Sequence, residues 1–320
     1  MQHPRLQNRI SESTLTLPLC MVAGALVWFW SGNGSPDFRL SAIAALASAV
    51  LTTYIVLETA SEFSLLRVQS DMIAAVWVMT VAMTSSVHTF SEGWVAAPAL
   101  AAGYYIMFST YQKHEPVVHV FHIFLLLGAA SLAIPHLIVF VPLFYWYLAI
   151  FLRCMTWRCF WAGIVGFVLP VCFVMGWSIF TDDYSFPAES LDRLLSAKPF
   201  SGEDYRLMLS DGRTDALNLV FITILSAVGI VHYLRYYYKD KIRTRMYLYI
   251  YVMQTIACWL TILCLPAMFT KLAPVLLLGS CTMAAHFFAQ TNTRTSNAFF
   301  CTSVLVLILL TLINMGIWTF

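Results

Sequence analysis

Charge is what this sequence has least of. Of its 320 residues, 11% are Asp, Glu, Lys or Arg and 60% are hydrophobic. A soluble globular domain carries about 25% charged residues. So little charge cannot cover a surface in water, which excludes a soluble globule and assigns the chain to a bilayer. Neither sign of charge dominates: 18 basic and 16 acidic residues leave +2. That balance gives no footprint for nucleic acid, which is excluded as a partner. A cysteine framework is also lacking. Six of the eight cysteines (Cys20, Cys172, Cys258, Cys264, Cys281, Cys301) lie inside apolar runs. Cys154 and Cys159 are spaced C-x4-C, which suits neither a zinc knuckle nor a thioredoxin-like motif. All eight read as packing residues. "LPLC" at 17–20 lacks the small residue a lipoprotein signal needs before its cysteine. The first apolar run has a basic leader but no small-residue cleavage site, so it reads as an uncleaved anchor.

A zinc-protease helix is lacking too, although "KHEPVVHVFH" at 113–122 resembles one at a glance. H-E-x-x-H needs its two histidines four apart on one helix face. His114 and His119 are five apart, which sets the rings roughly 140° from each other. Pro116 is at home in a first helical turn, so the helix starts there and leaves His114 outside. His119 and His122 share a face, roughly 5 and 9 Å into that helix. Ionisable groups at such depth usually face the bundle interior. No metal ligand set is expected, and no cofactor is identified.

What is present in quantity is apolar sequence. Runs recur near 16–31, 39–57, 71–87, 94–111, 116–133, 135–152, 159–180, 216–234, 246–265, 272–289 and 298–317. They predict an all-α fold: one polytopic transmembrane bundle over residues 1–320, with about eleven spans. The fifth and sixth runs turn at "AIPH" with almost no polar loop, which leaves a broken or re-entrant pair open. Lys and Arg set the orientation. With the N-terminus inside, twelve basic residues fall on the inner segments and six on the outer, so the chain reads N-in, C-out. "RYYYKDKIRTR" at 235–245 is the strongest anchor.

Three outer segments then carry chemistry. "SGNGSPDFR" at 31–39 is a tight turn ending in Asp37 and Arg39. "SSVHTFSEGW" at 85–94 carries His88 and Glu92. Residues 182–215 hold eight of the sixteen acidic residues. There "SFPAESLDRLLSAKPF" and "SGEDYRLMLSDG" read as two short amphipathic helices lying on the membrane. Ser201 is a candidate cap with Asp204 three residues on, and Gly212 a candidate terminator. "TDDY" leads into them, adding Asp182 and Asp183 as candidate substrate-binding residues. Such a face can use one carboxylate as base and others to hold a phosphate or a metal. The plainer alternative is solvated caps.

The segment "FHIFLLLGAASLAIPHLIVFVPLFYWYLAIFLRCMTWRCFWAGIVGFVLPVCFVMGW", 121–177, resembles the middle of membrane glycosyltransferases of the GT-C fold. The whole chain resembles uncharacterised bacterial multi-spanning inner-membrane proteins that look like distant relatives of that fold. The resemblance implies transfer of a sugar from a polyprenyl-phosphate carrier at the outer face of a bacterial inner membrane. Carried onto this sequence, it implies Asp37 as the base that activates an acceptor hydroxyl. Glu92 is the second-loop carboxylate and joins the catalytic candidates. With His88 it positions the donor or a metal, while Arg39 pairs with the donor phosphate. The first loop departs from the pattern: it is short and has one acid where many such enzymes have a pair. Two other readings stand beside this one. One is a non-enzymatic envelope scaffold that docks a protein partner through 182–215. The other is a transporter or flippase, for which His119, His122 and His286 are the few intramembrane ionisable candidates. Membrane lipids are partners in all three.

Overall fold

The apolar runs leave the backbone one choice. Lipid offers no hydrogen-bond partners, so each segment must satisfy its own N–H and C=O groups, and it does so as a helix. In the computed structural model, residues 5–31, 36–68, 70–196, 198–210 and 213–315 are described. The side chains of 31–39 and the expected turn at 32–35 lie outside the described residues, as does Gly212. The helices are α1 (Leu6–Glu12), α2 (Thr16–Ser31), α3 (Pro36–Glu62), α4 (Met72–Met83), α5 (Gly93–Phe108), α6 (Val117–Ala133), α7 (Phe140–Trp146), α8 (Trp157–Thr181), α9 (Ser185–Leu195), α10 (Gly202–Ser210), α11 (Arg213–Tyr236), α12 (Ile242–Cys264), α13 (Phe269–Gln290) and α14 (Arg294–Asn314). Among the described residues there is no strand.

Among the described residues, every apolar run read from the sequence is mostly helical. Local signals place several ends. α6 begins directly after Pro116 and leaves His114 outside. The Thr156 hydroxyl accepts from Cys159 N–H at the start of α8, and Thr293 and Ser296 form a reciprocal capping box on α14. Ser201 Oγ accepts from Asp204 N–H at α10, as the spacing predicts.

Long-range bonds sort the connections onto two ends. At the α1 end, Gln7 Nε2 donates to Phe288 O and to Thr291 Oγ1, and Gln112 N–H donates to Leu152 O at 3.0 Å. Tyr247 OH donates to Phe108 O at 2.8 Å. At the α9 end, Phe90 N–H donates to Ser41 Oγ at 2.8 Å, and Phe200 N–H donates to Cys264 O at 2.8 Å. There Asn314 Nδ2 bonds Met83 O and Asn218 Oδ1. Successive connections alternate between the ends, as in an up-and-down bundle. The stretch after α6 illustrates this. A 3-10 turn at Pro135–Val139 leads through α7 and a π turn at Tyr147–Phe151 back to the α1 end, so the pair forms a hairpin.

The helices are not equal. Among the described residues, six are long and apolar enough to cross a membrane alone: the Leu40–Glu62 part of α3, α8, the Arg213–Lys239 stretch, α12, the Pro266–Gln290 stretch and α14. α1 and α2 meet at 90° and count together as one further candidate. α4, α5 and α6 have 12, 16 and 17 residues, below the ~20 a bilayer core requires. These apolar helices are compatible with an integral membrane protein. The shorter ones sit inside: nine of the twelve α4 residues are buried. α13 is the axis, with eighteen of its 22 residues buried, and it packs on α4, α5, α11 and α12. It is apolar on all sides, which is the pattern of a core helix.

One expectation is corrected. His119 is half-buried, and His122 is exposed with Nδ1 bonded 2.7 Å from Val118 O of its own helix. Neither is buried in the bundle interior. The helix's own carbonyl one turn back satisfies His122, so no neighbouring helix is needed.

Close packing of α11 on α13 depends on Gly229, where a Cβ would lie 2.6 Å from Met283 O. Small residues permit such approaches between membrane helices. Gly103 has nothing within 4 Å of its would-be Cβ. Gly229→Ala is expected to lower thermal stability in detergent, by about 1–3 kcal/mol of overpacking. Gly103→Ala should leave it equal or raise it by roughly 0.5–1 kcal/mol through helix propensity.

Candidate functional site

Two polar clusters interrupt the apolar bundle, one at each end. The first is at the α9 end and is built on Gly93. A Cβ there would collide with the Lys271 carbonyl oxygen and crowd the Pro274 ring, so only glycine lets α5 begin against the first turns of α13. That contact sets Glu92 beside Lys271. Glu92 Oε1 lies 2.8 Å from Lys271 Nζ and 3.4 Å from Arg193 Nη1. Arg193 comes from α9 and also meets Glu189 at 3.4 Å, one turn earlier. Burial by itself would raise the Glu92 carboxyl, but the Lys271 hydrogen bond and charge, with Arg193, hold it below its ordinary value.

His136 belongs to the same region. It follows Pro135 in the 3-10 turn against which α9 packs. Its residue is 7% exposed, and neither ring nitrogen has a hydrogen-bond partner. Lys271 lies near enough for its charge to act on that ring. Glu92, Arg193 and Lys271 thus meet from three elements, with His136 on a fourth element nearby. The arrangement supplies two cations for an anion, a carboxylate that orients them, and a buried imidazole with no hydrogen-bond partner.

The residues expected from sequence divide around this cluster. Glu92 is in it. Asp37 and Arg39 lie in the first turn of α3, at the same end, since Ser41 and Ser48 of α3 bond Phe90 N–H and Trp94 O. Their side chains lie outside the described residues. His88 is 3% exposed, with Nε2 3.1 Å from Ala82 O and its ring 4.5 Å from that of Trp28. Burial pushes its pKa down to about 4, so it is neutral at physiological pH and serves as packing. Asp182 turns the chain out of α8 at φ 55°. Asp183 accepts from Ser185 N–H at 2.9 Å and is held below its ordinary pKa by that bond. Both are exposed and shape the turn into α9, and neither is joined to Glu92. Sequence reading missed Lys271, Arg193 and His136. Lys271 carried a signal, as one of only two outer cations beyond the 182–215 loop. Among the described residues no three His, Cys, Asp or Glu side chains are grouped to hold a metal.

The second cluster is at the α1 end. Asp240, between α11 and α12, has a fully buried side chain. Its Oδ1 accepts from Arg67 Nε at 2.5 Å, and its Oδ2 lies 3.2 Å from His286 Nε2 on α13. A carboxylate only accepts, so His286 carries its proton on Nε2. Burial would raise the Asp240 carboxyl, but His286 and Arg67 hold it below its ordinary value.

This second cluster clamps three parts of the fold, and its loss is measurable. Asp240→Asn leaves a cation and an imidazole without their anion, and is expected to cost about 3 kcal/mol or more in unfolding free energy. Glu189→Gln, at a pair whose carboxylate is 66% exposed, should change it by about 0.5 kcal/mol or less. Because the Asp240 pKa is depressed, its contribution is complete at neutral pH. It fades only as pH falls below ~4 through the lowered folded pKa. Unfolding midpoints across pH 3–8 check the sign: wild type loses stability at the acid end, and the variant loses less.

No protein-family profile, no curated protein and no solved structure matches this chain.

Proposed function

We propose that the chain is a polytopic protein of the bacterial inner membrane that acts on lipid-linked, phosphate-bearing sugars at its α9 end, in the manner of a GT-C-like glycosyltransferase. The observation that carries this reading is the convergence of Lys271, Arg193 and Glu92 beneath α9, with unpartnered His136 nearby. Lys271 and Arg193 hold the carrier phosphate, for which a guanidinium and an ammonium are the natural pair. Glu92 orients both cations rather than acting as base, because a carboxyl held below its ordinary pKa is a weak proton acceptor. Asp37 takes the proton from the acceptor hydroxyl. The acceptor oxygen then bonds to the sugar's anomeric carbon, and the bond from that carbon to the carrier phosphate breaks with its electron pair on the phosphate. His136 meets a ligand oxygen with one of its unpartnered nitrogens.

On this reading the chain crosses eleven times, N-in and C-out. The alternation of the connections and the excess of Lys and Arg at the α1 end support that topology. A second reading, a non-enzymatic scaffold that docks an envelope protein through 182–215, draws on a different observation. α9 and α10 bury no residue and leave Phe186, Leu191, Leu195, Leu207 and Leu209 exposed.

Mass spectrometry of lipids that co-purify in native lipid discs separates the two. The transferase reading expects a polyprenyl phosphate or its sugar-linked form on the wild type. It expects roughly tenfold less on Lys271→Met, the loss of one charge-assisted contact. Ordinary phospholipids alone, unchanged in Lys271→Met and in Asp37→Ala/Glu92→Ala, would move the assignment to the scaffold.

A further inference from the structure

The end of the bundle opposite the proposed transfer site is hollow. Two cavities open there, of about 570 and 630 Å³. They share Arg67 and Lys239, which form the wall between them. Their chemistry differs. The smaller is lined by Lys241 but also by two acidic residues, Asp71 and Asp240. The larger has the two shared cations and no carboxylate in its lining. An anion is therefore favoured in the larger one.

Its details fit a phosphate. Arg67 engages Asp240 through Nε, so the clamp holds the guanidinium in place and leaves its terminal amino groups for a ligand. Lys239 is steadied over the rings of Tyr236 and Tyr238, at 4.9 and 5.9 Å. Thr293, Thr295 and Ser296, at the start of the 21-residue helix α14, line the same space. The positive end of that helix's dipole adds to the attraction for an anion. Gln290 also lines the cavity, and neither polar atom of its buried carboxamide has a partner.

One wall points to the source of that phosphate. Val228, Phe287 and Phe299, on three different helices, make it apolar. A free phosphate has no use for such a wall, whereas the glycerol and upper acyl chain of a phospholipid do. We propose that this cavity binds the phosphate headgroup of an anionic phospholipid drawn from the leaflet at the α1 end. Basic pockets between membrane helices recognise anionic headgroups in this way. The site is separate from the α9-end cluster and does not depend on the activity proposed there.

The test uses the full chain in discs of phosphatidylcholine containing roughly a fifth phosphatidylglycerol, at physiological salt to screen non-specific attraction, read by native mass spectrometry. Wild type is expected to retain phosphatidylglycerol above its share of the mixture. Lys239→Ala should lower that enrichment about fivefold, the order of one basic contact at a membrane surface. Lys239 sits at a cavity wall, so a folding defect needs a control. Thr295→Glu supplies it: an acid in the first turn of α14 suits the helix dipole, yet places a negative charge in the cavity. This variant should keep or raise the thermal midpoint while losing the enrichment. Retention of phosphatidylglycerol by wild type no greater than its share of the mixture, or enrichment unchanged in both variants, overturns the proposal. So does stabilisation of detergent-solubilised protein by inorganic phosphate alone, with no lipid preference, because the ligand is then a free anion.

Discussion

The structure depends on one buried helix. α13 has eighteen of its 22 residues buried, so the helices around it must meet its apolar side chains at close range. They can do so because small residues run through its middle, "GSCTMAA" at 279–285. The contact at Gly279 falls against Thr255 and the Tyr251 carbonyl of α12, and Met283 meets Gly229 of α11. Without a hydrophobic driving force between helices in lipid, such fit is what holds them together. The two ends of α13 then carry the polar chemistry of the molecule: Lys271 in its first turn and His286 in its last.

That arrangement explains why the two clusters are so unlike. At the α1 end the carboxylate is sealed and shared between a guanidinium and an imidazole, which fixes two connections to α13 at one point. At the α9 end Glu92, Lys271 and Arg193 are each about a third to a half exposed, and the arginine arrives on a helix that buries nothing. Exposed pairs contribute little to stability. A cluster that contributes little to folding, while leaving a buried histidine unpartnered beside it, is better explained by a ligand than by architecture. The buried Asp240 group has the opposite balance. It is structural first, and holding Arg67 still is what makes that residue useful to the cavities beside it.

Much of the fold was legible in the sequence, because lipid enforces it. Eleven apolar runs became mostly helical among the described residues, Pro116 started α6, Ser201 capped α10, and the amphipathic stretch at 182–215 gave two helices. The relative rank of those helices was not legible. Nothing in composition marks α13 as the axis, or α4, α5 and α6 as too short to span alone, since burial inside protein and exposure to lipid both call for apolar side chains. Of the candidate site, Glu92 was legible as an acid in a loop between two apolar runs. Its partners were not: Lys271 lies 179 residues away, and His136 looked like a break in an apolar run. His88 misled for the same reason, since a polar ring in a loop reads as exposed until Trp28 is seen against it. Asp240 was hidden in "RYYYKDKIRTR", where one acid among five bases reads as part of a membrane anchor.

The central claim is that the α9-end cluster is a phosphate site rather than a surface ion pair. Cryo-electron microscopy of the protein in native lipid discs tests it most directly. The claim predicts density for a phosphate between Lys271, Arg193 and His136, continuing as an isoprenoid chain into the membrane, with α9 closed over it. A map in which Glu92 keeps both cations, no ligand density lies beside them, and α9 instead packs against another protein would contradict it.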